Sequence, residues 1–169
     1  PVIMTGNAKG LLPSEHPLSA GVSGFYPSAH RLLSEADLVL GLGTELSDSE
    51  GFDAPPAGPQ FAHLIRVDID PAAEHPDQRD PLIVARVADF ATTVLAALPE
   101  AEADATGSAR RRSGAERAAV VRQELEEARA SDPYAAWIAA IERAVPDDAL
   151  IAADSAQVAY QSHGLLRLD

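Results

Sequence analysis

The residues best able to do chemistry fall just beyond apolar runs. Glu45, Asp48, Glu50 and Asp53 crowd a loop that follows Leu38-Val39-Leu40-Gly41-Leu42. Such a cluster is either a solvated acidic loop or a seat for a cationic group, such as a guanidinium held in bidentate geometry. Asp68 and Asp70 flank Ile69 at the end of another apolar run. They could take a ribose hydroxyl or a metal, although capping the turn before Pro71 is the simpler account. The histidines, His16, His30, His63, His75 and His163, form no i, i+4 pair and no metal-ligand spacing. His163 draws attention because it follows a further apolar run ending at Asp154. Gly41-Leu42-Gly43 could open a dinucleotide-binding turn, but the full fingerprint needs a glycine where Leu46 stands. A tight turn after a strand is the better reading. No Gly-x-Ser-x-Gly elbow is present. Taken alone, these residues describe a ligand-friendly sheet edge and no reaction.

The elements that must position them read as α/β. Short β-rich runs alternate with helical periodicity, the pattern of a parallel sheet with crossover helices. Val2-Ile3-Met4-Thr5 predicts a strand, ended by Gly6-Asn7, and a Gly/Pro-rich loop follows. Ser28 is a candidate cap for a helix carrying Ala29, Leu32, Leu33 and Ala36 on one face. Residues 38–42 predict a buried strand, residues 64–69 a second, and residues 82–85 a third buried run. The loop between the first two holds Pro55, Pro56 and Pro59 and is expected to be irregular. Asp89 is a candidate cap for a helix with Ala91, Val94, Leu95 and Leu98 in one stripe.

Composition then shifts. Residues 99–114 are Ala, Glu, Ser, Gly and Arg with almost nothing bulky and apolar, which predicts a linker. A charged helix is expected over about residues 115–130. A second helix should start with Asp132 as N-cap and Pro133 at the first helical position. Its Tyr134, Trp137, Ile138, Ile141 and Val145 share a face, which reads as core packing. Leu150-Ile151-Ala152-Ala153 predicts a last strand. Too few residues follow it to build a sheet, so a truncated domain is expected.

Of the 169 residues 46% are apolar, enough for one full core. No apolar run is long enough to cross a membrane, and no signal peptide is visible in the first residues. Absence of cysteine fits a cytoplasmic protein and excludes a disulfide framework. A net charge of −13 argues against nucleic acid as partner. The one basic cluster, Arg110-Arg111-Arg112, reads as part of a solvated linker.

Three segments together carry a resemblance. Thr5-Gly6-Asn7-Ala8-Lys9-Gly10-Leu11-Leu12-Pro13-Ser14-Glu15-His16-Pro17-Leu18 resembles the T-x-x-x-K-G-x-x-P-x-x-H-P-L signature of thiamine-diphosphate enzyme middle domains. Ala36-Asp37-Leu38-Val39-Leu40-Gly41-Leu42-Gly43-Thr44 resembles their A-D-L-V-L-x-x-G-T strand and turn. Ile65-Arg66-Val67-Asp68-Ile69-Asp70-Pro71 resembles the later I-x-I-D-x-D-P strand. Order and spacing agree over residues 1–98. The stretch ending Leu150-Ile151-Ala152-Ala153-Asp154 is similar to the opening strand of the family's diphosphate-binding domain. Gln157 matches the Gly-Gln-His segment of acetolactate synthases, whereas Val158 stands where their His would be. Asp154-Ser155-Ala156-Gln157, Tyr160 and Gly43-Thr44-Glu45-Leu46 look closer to 5-guanidino-2-oxopentanoate decarboxylases.

The resemblance implies a doubly wound, mainly parallel sheet over residues 1–98 lacking its first strand, a linker over 99–115, and the truncated start of a diphosphate-binding α/β domain over 116–169. It implies a parent enzyme, homodimeric or homotetrameric, that uses thiamine diphosphate and magnesium to decarboxylate a 2-oxo acid or to condense it with a second carbonyl. Ser155, Ala156 and Gln157 would lie near the diphosphate, and Glu45, Asp48 and His163 near substrate. The cofactor-activating glutamate and the magnesium-holding Gly-Asp-Gly…Asn segment are not among these residues. On that ground this stretch is expected to bind no cofactor and to catalyse nothing by itself. Some relatives' middle domains bind FAD or ADP without using it chemically, so a nucleotide-binding or purely structural module is the alternative. The lacking Gly-rich first segment weighs against FAD.

Overall fold

A computed structural model describes residues 1–52, 58–73, 81–98, 105–146 and 149–167, without the side chains of 105–108 and 111. Asp53, Pro55, Pro56, His75, Pro99 and the Asp147-Asp148 pair fall outside the described residues. The chain forms two compact units, one made of Pro1–Ala29 with Arg112–Asp169 and the other of His30–Arg111.

The second unit holds the sheet. Strands β1 (Val39–Leu42), β2 (Leu64–Asp68) and β3 (Leu82–Val84) pair in that order, all parallel, with Val39 opposite Leu64 and Arg66 opposite Leu82. The expected parallel alignment of these three runs holds. Their burial does not follow the sequence pattern. Leu64 and Val67 of β2 are fully buried, whereas Leu38, Leu40, Leu42 and Val84 are exposed. An apolar run earns burial only when another layer covers both faces, and only the middle strand has neighbours on both edges.

Helix α1 (Pro27–Ser34) starts with Pro27, whose missing N–H costs nothing at a first helical position. Ser28 is therefore inside the helix and not its cap, and its hydroxyl is buried without a partner among the described residues. Ala29 is buried and Leu32 and Leu33 half-buried, as the stripe predicted. Helix α2 (Val87–Ala97) is capped by Arg86 without a side-chain bond, so Asp89 lies in its first turn and faces the positive helix end instead of capping it. Of its stripe, Ala91 and Val94 are half-buried and Leu95 and Leu98 exposed.

In the first unit, Val2 to Met4 runs beside residues 18–21, through Val2 N–H to Leu18 O (2.7 Å), Ala20 N–H to Val2 O (2.8 Å) and Met4 N–H to Gly21 O (2.9 Å). The expected strand is reduced to one parallel bridge, Val2 to Ser19. Helix α3 runs over Ala105–Ser131, so the described part of the predicted linker is helix. Residues 105–114 hold two Gly, two Ser and a Thr, and their helix extends that of residues 115–131, where Ala, Glu, Gln and Arg are strong helix formers. Gly114 is a close-approach residue, since a Cβ there would stand 3.2 Å from Leu18 Cδ2.

Helix α4 (Ala135–Ala144) begins two residues after Pro133, with Tyr134 as N-cap. Asp132 instead accepts the Tyr134 N–H at 2.7 Å and shapes the turn into the helix. Ile138 is completely buried, with Tyr134 and Ile141 against it, but Trp137 is exposed. Helix α5 (Gln157–Leu165) follows, and Leu165 and Leu166 join Ile138 in the core. Residues 150–153 are not a strand: Leu150 is wholly exposed and Ile151 is exposed to 43%. A strand needs a partner for its backbone groups, and residues 112–167 offer no strand among those described.

Candidate functional site

Both candidate regions are set by helix and strand ends. In the second unit the loop after β1 starts at Gly43, whose φ of 62° suits glycine and whose N–H reaches Val67 O at 2.8 Å. A Cβ at Gly43 would also crowd Val87 Cγ2 at 3.3 Å. Leu46 takes φ 51°, a left-handed conformation uncommon for leucine, and is nevertheless buried. Its N–H is held by Thr44 Oγ1 at 3.1 Å. A single 3-10 turn, Asp48–Glu50, ends at Gly51, whose carbonyl bonds His30 Nε2 at 2.8 Å.

Arg66 braces this loop from below. The residue is only 3% exposed, on β2, and its Nη2 donates to Thr44 O (2.6 Å) while Nη1 donates to Ala73 O (2.5 Å). Asp68 stands 3.8 Å from its guanidinium. The carboxyl ends of β1 and β2 are thereby tied together by one buried cation, and open parallel sheets receive ligands at that end. Glu45 and Asp48 lie on the loop after β1, both exposed. Asp68 and Asp70 do the simpler job expected of them: Asp68 Oδ1 accepts the Asp70 N–H (3.0 Å) and Asp70 Oδ1 the Ala72 N–H (2.9 Å).

In the first unit, Ser155, Ala156 and Gln157 form the amino end of α5, all exposed. Asp154 Oδ1 accepts the Ser155 N–H at 2.7 Å, and the Ala156 carbonyl takes the N–H groups of Ala159 (2.9 Å) and Tyr160 (3.1 Å). Helix geometry leaves the Gln157 and Val158 amides without intrahelical acceptors, at the end where the helix dipole is positive. That end suits an anion.

His163 lies in the last turn of the same helix with its side chain exposed. Its backbone matters more: Lys9 Nζ donates to His163 O at 2.7 Å and to Ser162 O. Burial pushes the Lys9 ammonium down to about 8, with the Glu142 carboxylate pulling up and Arg129 pushing further down. Thus Ser155, Ala156 and Gln157 gather at one end of α5, His163 belongs to the other end, and Glu45 and Asp48 belong to a different compact unit. Sequence reasoning passed over Arg66 and Lys9. An arginine inside the apolar run Leu64-Ile65-Arg66-Val67 was the signal for the first, since a buried charge needs dedicated partners.

Comparison with known proteins agrees with this architecture. Residues 1–98 match the family described as thiamine pyrophosphate enzyme, central domain. A probable 2-ketoarginine decarboxylase of Pseudomonas aeruginosa is 35% identical over 95% of this chain and 28% of its own length. A sulfoacetaldehyde acetyltransferase of Roseovarius nubinhibens is 33% identical over 84% of this chain, again 28% of its own. The acetolactate synthase isozyme 1 large subunit of Escherichia coli is 40% identical over 43% of this chain and 13% of its own. The chain thus spans about 28% of the length of the first two of these relatives. With a parallel sheet in the order β1-β2-β3 and a family match over more than half its residues, the chain belongs to the thiamine pyrophosphate enzymes and carries their central domain.

Proposed function

We propose that this chain is part of a thiamine-diphosphate-dependent decarboxylase acting on a 2-oxo acid with a cationic tail, of the 5-guanidino-2-oxopentanoate kind. The observation that carries the reading is the likeness to a probable 2-ketoarginine decarboxylase across 95% of the chain. Two exposed carboxylates, Glu45 and Asp48, on a loop braced by Arg66 support it, because a guanidinium tail needs a carboxylate partner held in place.

In this reading the amino end of α5 meets the cofactor. Its free amides and the Ser155 hydroxyl suit phosphate oxygens, and the dipole there favours their charge. The Gln157 side chain adds a donor at the same end. Asp154 is the nearest carboxylate in sequence and already accepts the Ser155 amide, so magnesium ligands are expected from other parts of the parent enzyme. When bound, thiamine diphosphate supplies the electron sink that lets carbon dioxide depart from a 2-oxo acid. Glu45 and Asp48 orient the tail of the substrate and take no part in proton transfer. The domain assignment follows the same reading: residues 1–98 as central domain and the α4–α5 region as the approach to the diphosphate-binding domain.

The test uses the full-length protein. Gln157→Ala should weaken thiamine diphosphate binding about tenfold, the worth of one hydrogen bond to a charged group. Equal cofactor affinity removes Gln157 from the site. Glu45→Gln with Asp48→Asn should raise KM for 5-guanidino-2-oxopentanoate about tenfold and leave KM for pyruvate alone. Carbon dioxide leaves in either case, and a condensation product in place of the aldehyde moves the protein to the transferases.

A further inference from the structure

The first unit contains a cavity of about 350 Å³, at the low end of the range for small-molecule sites. It lies against the carboxyl end of α5, through Gly164–Arg167, and so at the opposite end of that helix from Ser155 and Gln157. One part of its wall is apolar, formed by Met4, Leu12, Val22, Leu125 and Leu165. The other part gathers charge: Lys9, Arg122, Arg129 and Arg167 against Glu15 and Glu126.

The charges do not cancel. Arg167 is paired with Glu126, and Arg129 with Glu142 just behind the wall. Lys9 and Arg122 donate to carbonyl oxygens and have no carboxylate partner among the described residues. Four cations face three carboxylates, Glu15, Glu126 and Glu142, which leaves one positive charge in surplus. The surplus sits in a chain whose net charge is −13, so this wall runs against the field of the whole protein. Arg122 Nη1 is held by Pro17 O (3.1 Å) and Ser19 O, which fixes the guanidinium plane in advance of any ligand.

We propose that this cavity binds a small organic monocarboxylate with a short aliphatic body. The carboxylate takes the Nε and Nη2 edge of Arg122, since both Nη1 hydrogens are held by Pro17 O and Ser19 O, Lys9 adds its charge, and the aliphatic body lies on Met4, Leu12, Val22 and Leu165. A single surplus charge matches a monoanion. A phosphate dianion would exceed it and meet Glu15, and an amine would meet the cations. The site is independent of the proposed reaction.

Titration calorimetry on the full-length protein with hexanoate, hexylamine and inorganic phosphate tests the proposal. Hexanoate should bind saturably at one site, and the other two should not saturate. Arg122→Gln should weaken hexanoate about tenfold, the loss of a charge-assisted hydrogen bond. Arg86→Gln, in the other unit, should leave it unchanged. Because Arg122 also holds the segment around Ser19, Glu15→Gln provides a second reading with no bond to lose, and it should tighten hexanoate about threefold by removing a like charge. Absent hexanoate saturation, saturation by phosphate or hexylamine alone, undiminished binding in Arg122→Gln with native circular dichroism, or weaker binding in Glu15→Gln would each overturn the assignment.

Discussion

Lys9 carries its charge into the interior of the first unit to reach the last turn of α5, where orphan carbonyls and the negative helix end attract a cation. The attraction does not offset the loss of water, and its pKa falls from 10.5 to about 8. Between those values the unfolded chain holds a proton that the folded chain has released, so stability rises with pH across that window. The full shift corresponds to about 3 kcal/mol, and partial exposure reduces it to on the order of 1–2 kcal/mol. Tyr26 works the other way. Burial first, then Asp132 and Glu124, raise its pKa above 10, so stability is lost as pH climbs beyond that point. Urea unfolding from pH 7 to 11 should therefore show a maximum near pH 10. Lys9→Met should flatten the rising side and keep the falling one; an identical rise in the variant would sink this account.

At the scale of elements, Glu142 joins three helices. Its carboxylate receives both Arg129 guanidinium nitrogens from α3, Nη1 at 2.9 Å, and the Arg167 N–H just past α5 at 2.7 Å. Burial alone would raise its pKa, but the hydrogen bonds of Arg129 and Arg167 and their charges outweigh it and hold the group below 4.5. Its stabilisation is thus present above that value and lost as pH falls through the lower folded pKa. Glu142→Ala should cost about 1–3 kcal/mol at pH 7 in chemical denaturation, and the deficit relative to wild type should shrink in acid. Ile138→Ala, in the apolar contact beside it, should cost about 2–5 kcal/mol at any pH.

These elements were unequally legible. The three parallel strands and the Leu32–Leu33 stripe could be read because periodicity and turn residues are local properties of the chain. Trp137, Leu40 and Val84 were misread as buried because burial depends on what covers a face, which no window of sequence contains. Residues 105–114 looked like a linker because their own composition is weakly helical, and the long helix that carries them, Ala105–Ser131, draws its strong formers from residues further on. At the candidate site, Glu45 and Asp48 were visible as an acidic loop, but the brace that fixes it, Arg66, acts across 22 positions.

On the scale of the whole molecule, the sheet is covered incompletely. Leu38, Leu40 and Leu42 of the β1 region and Val84 of β3 are exposed, and among the described residues β1 occupies one edge of the sheet. An apolar edge strand with unpaired backbone groups invites pairing with other chains. The isolated 169-residue chain should therefore self-associate as concentration rises, and Leu40→Lys should reduce that association in sedimentation velocity runs. A wild type that stays monomeric at millimolar concentration would contradict this.

The first unit is built from two separated segments, residues 1–29 and 112–169, while the second is one uninterrupted stretch between them. Synthesis from the amino end therefore delivers all of β1, β2 and β3 before any of α4 or α5 exists. The sheet can assemble while the ribosome is still working, and residues 1–29 must wait, Lys9 for a carbonyl 153 positions downstream. Chains released after residue 115 should resist protease through the sheet yet be cut within residues 1–29.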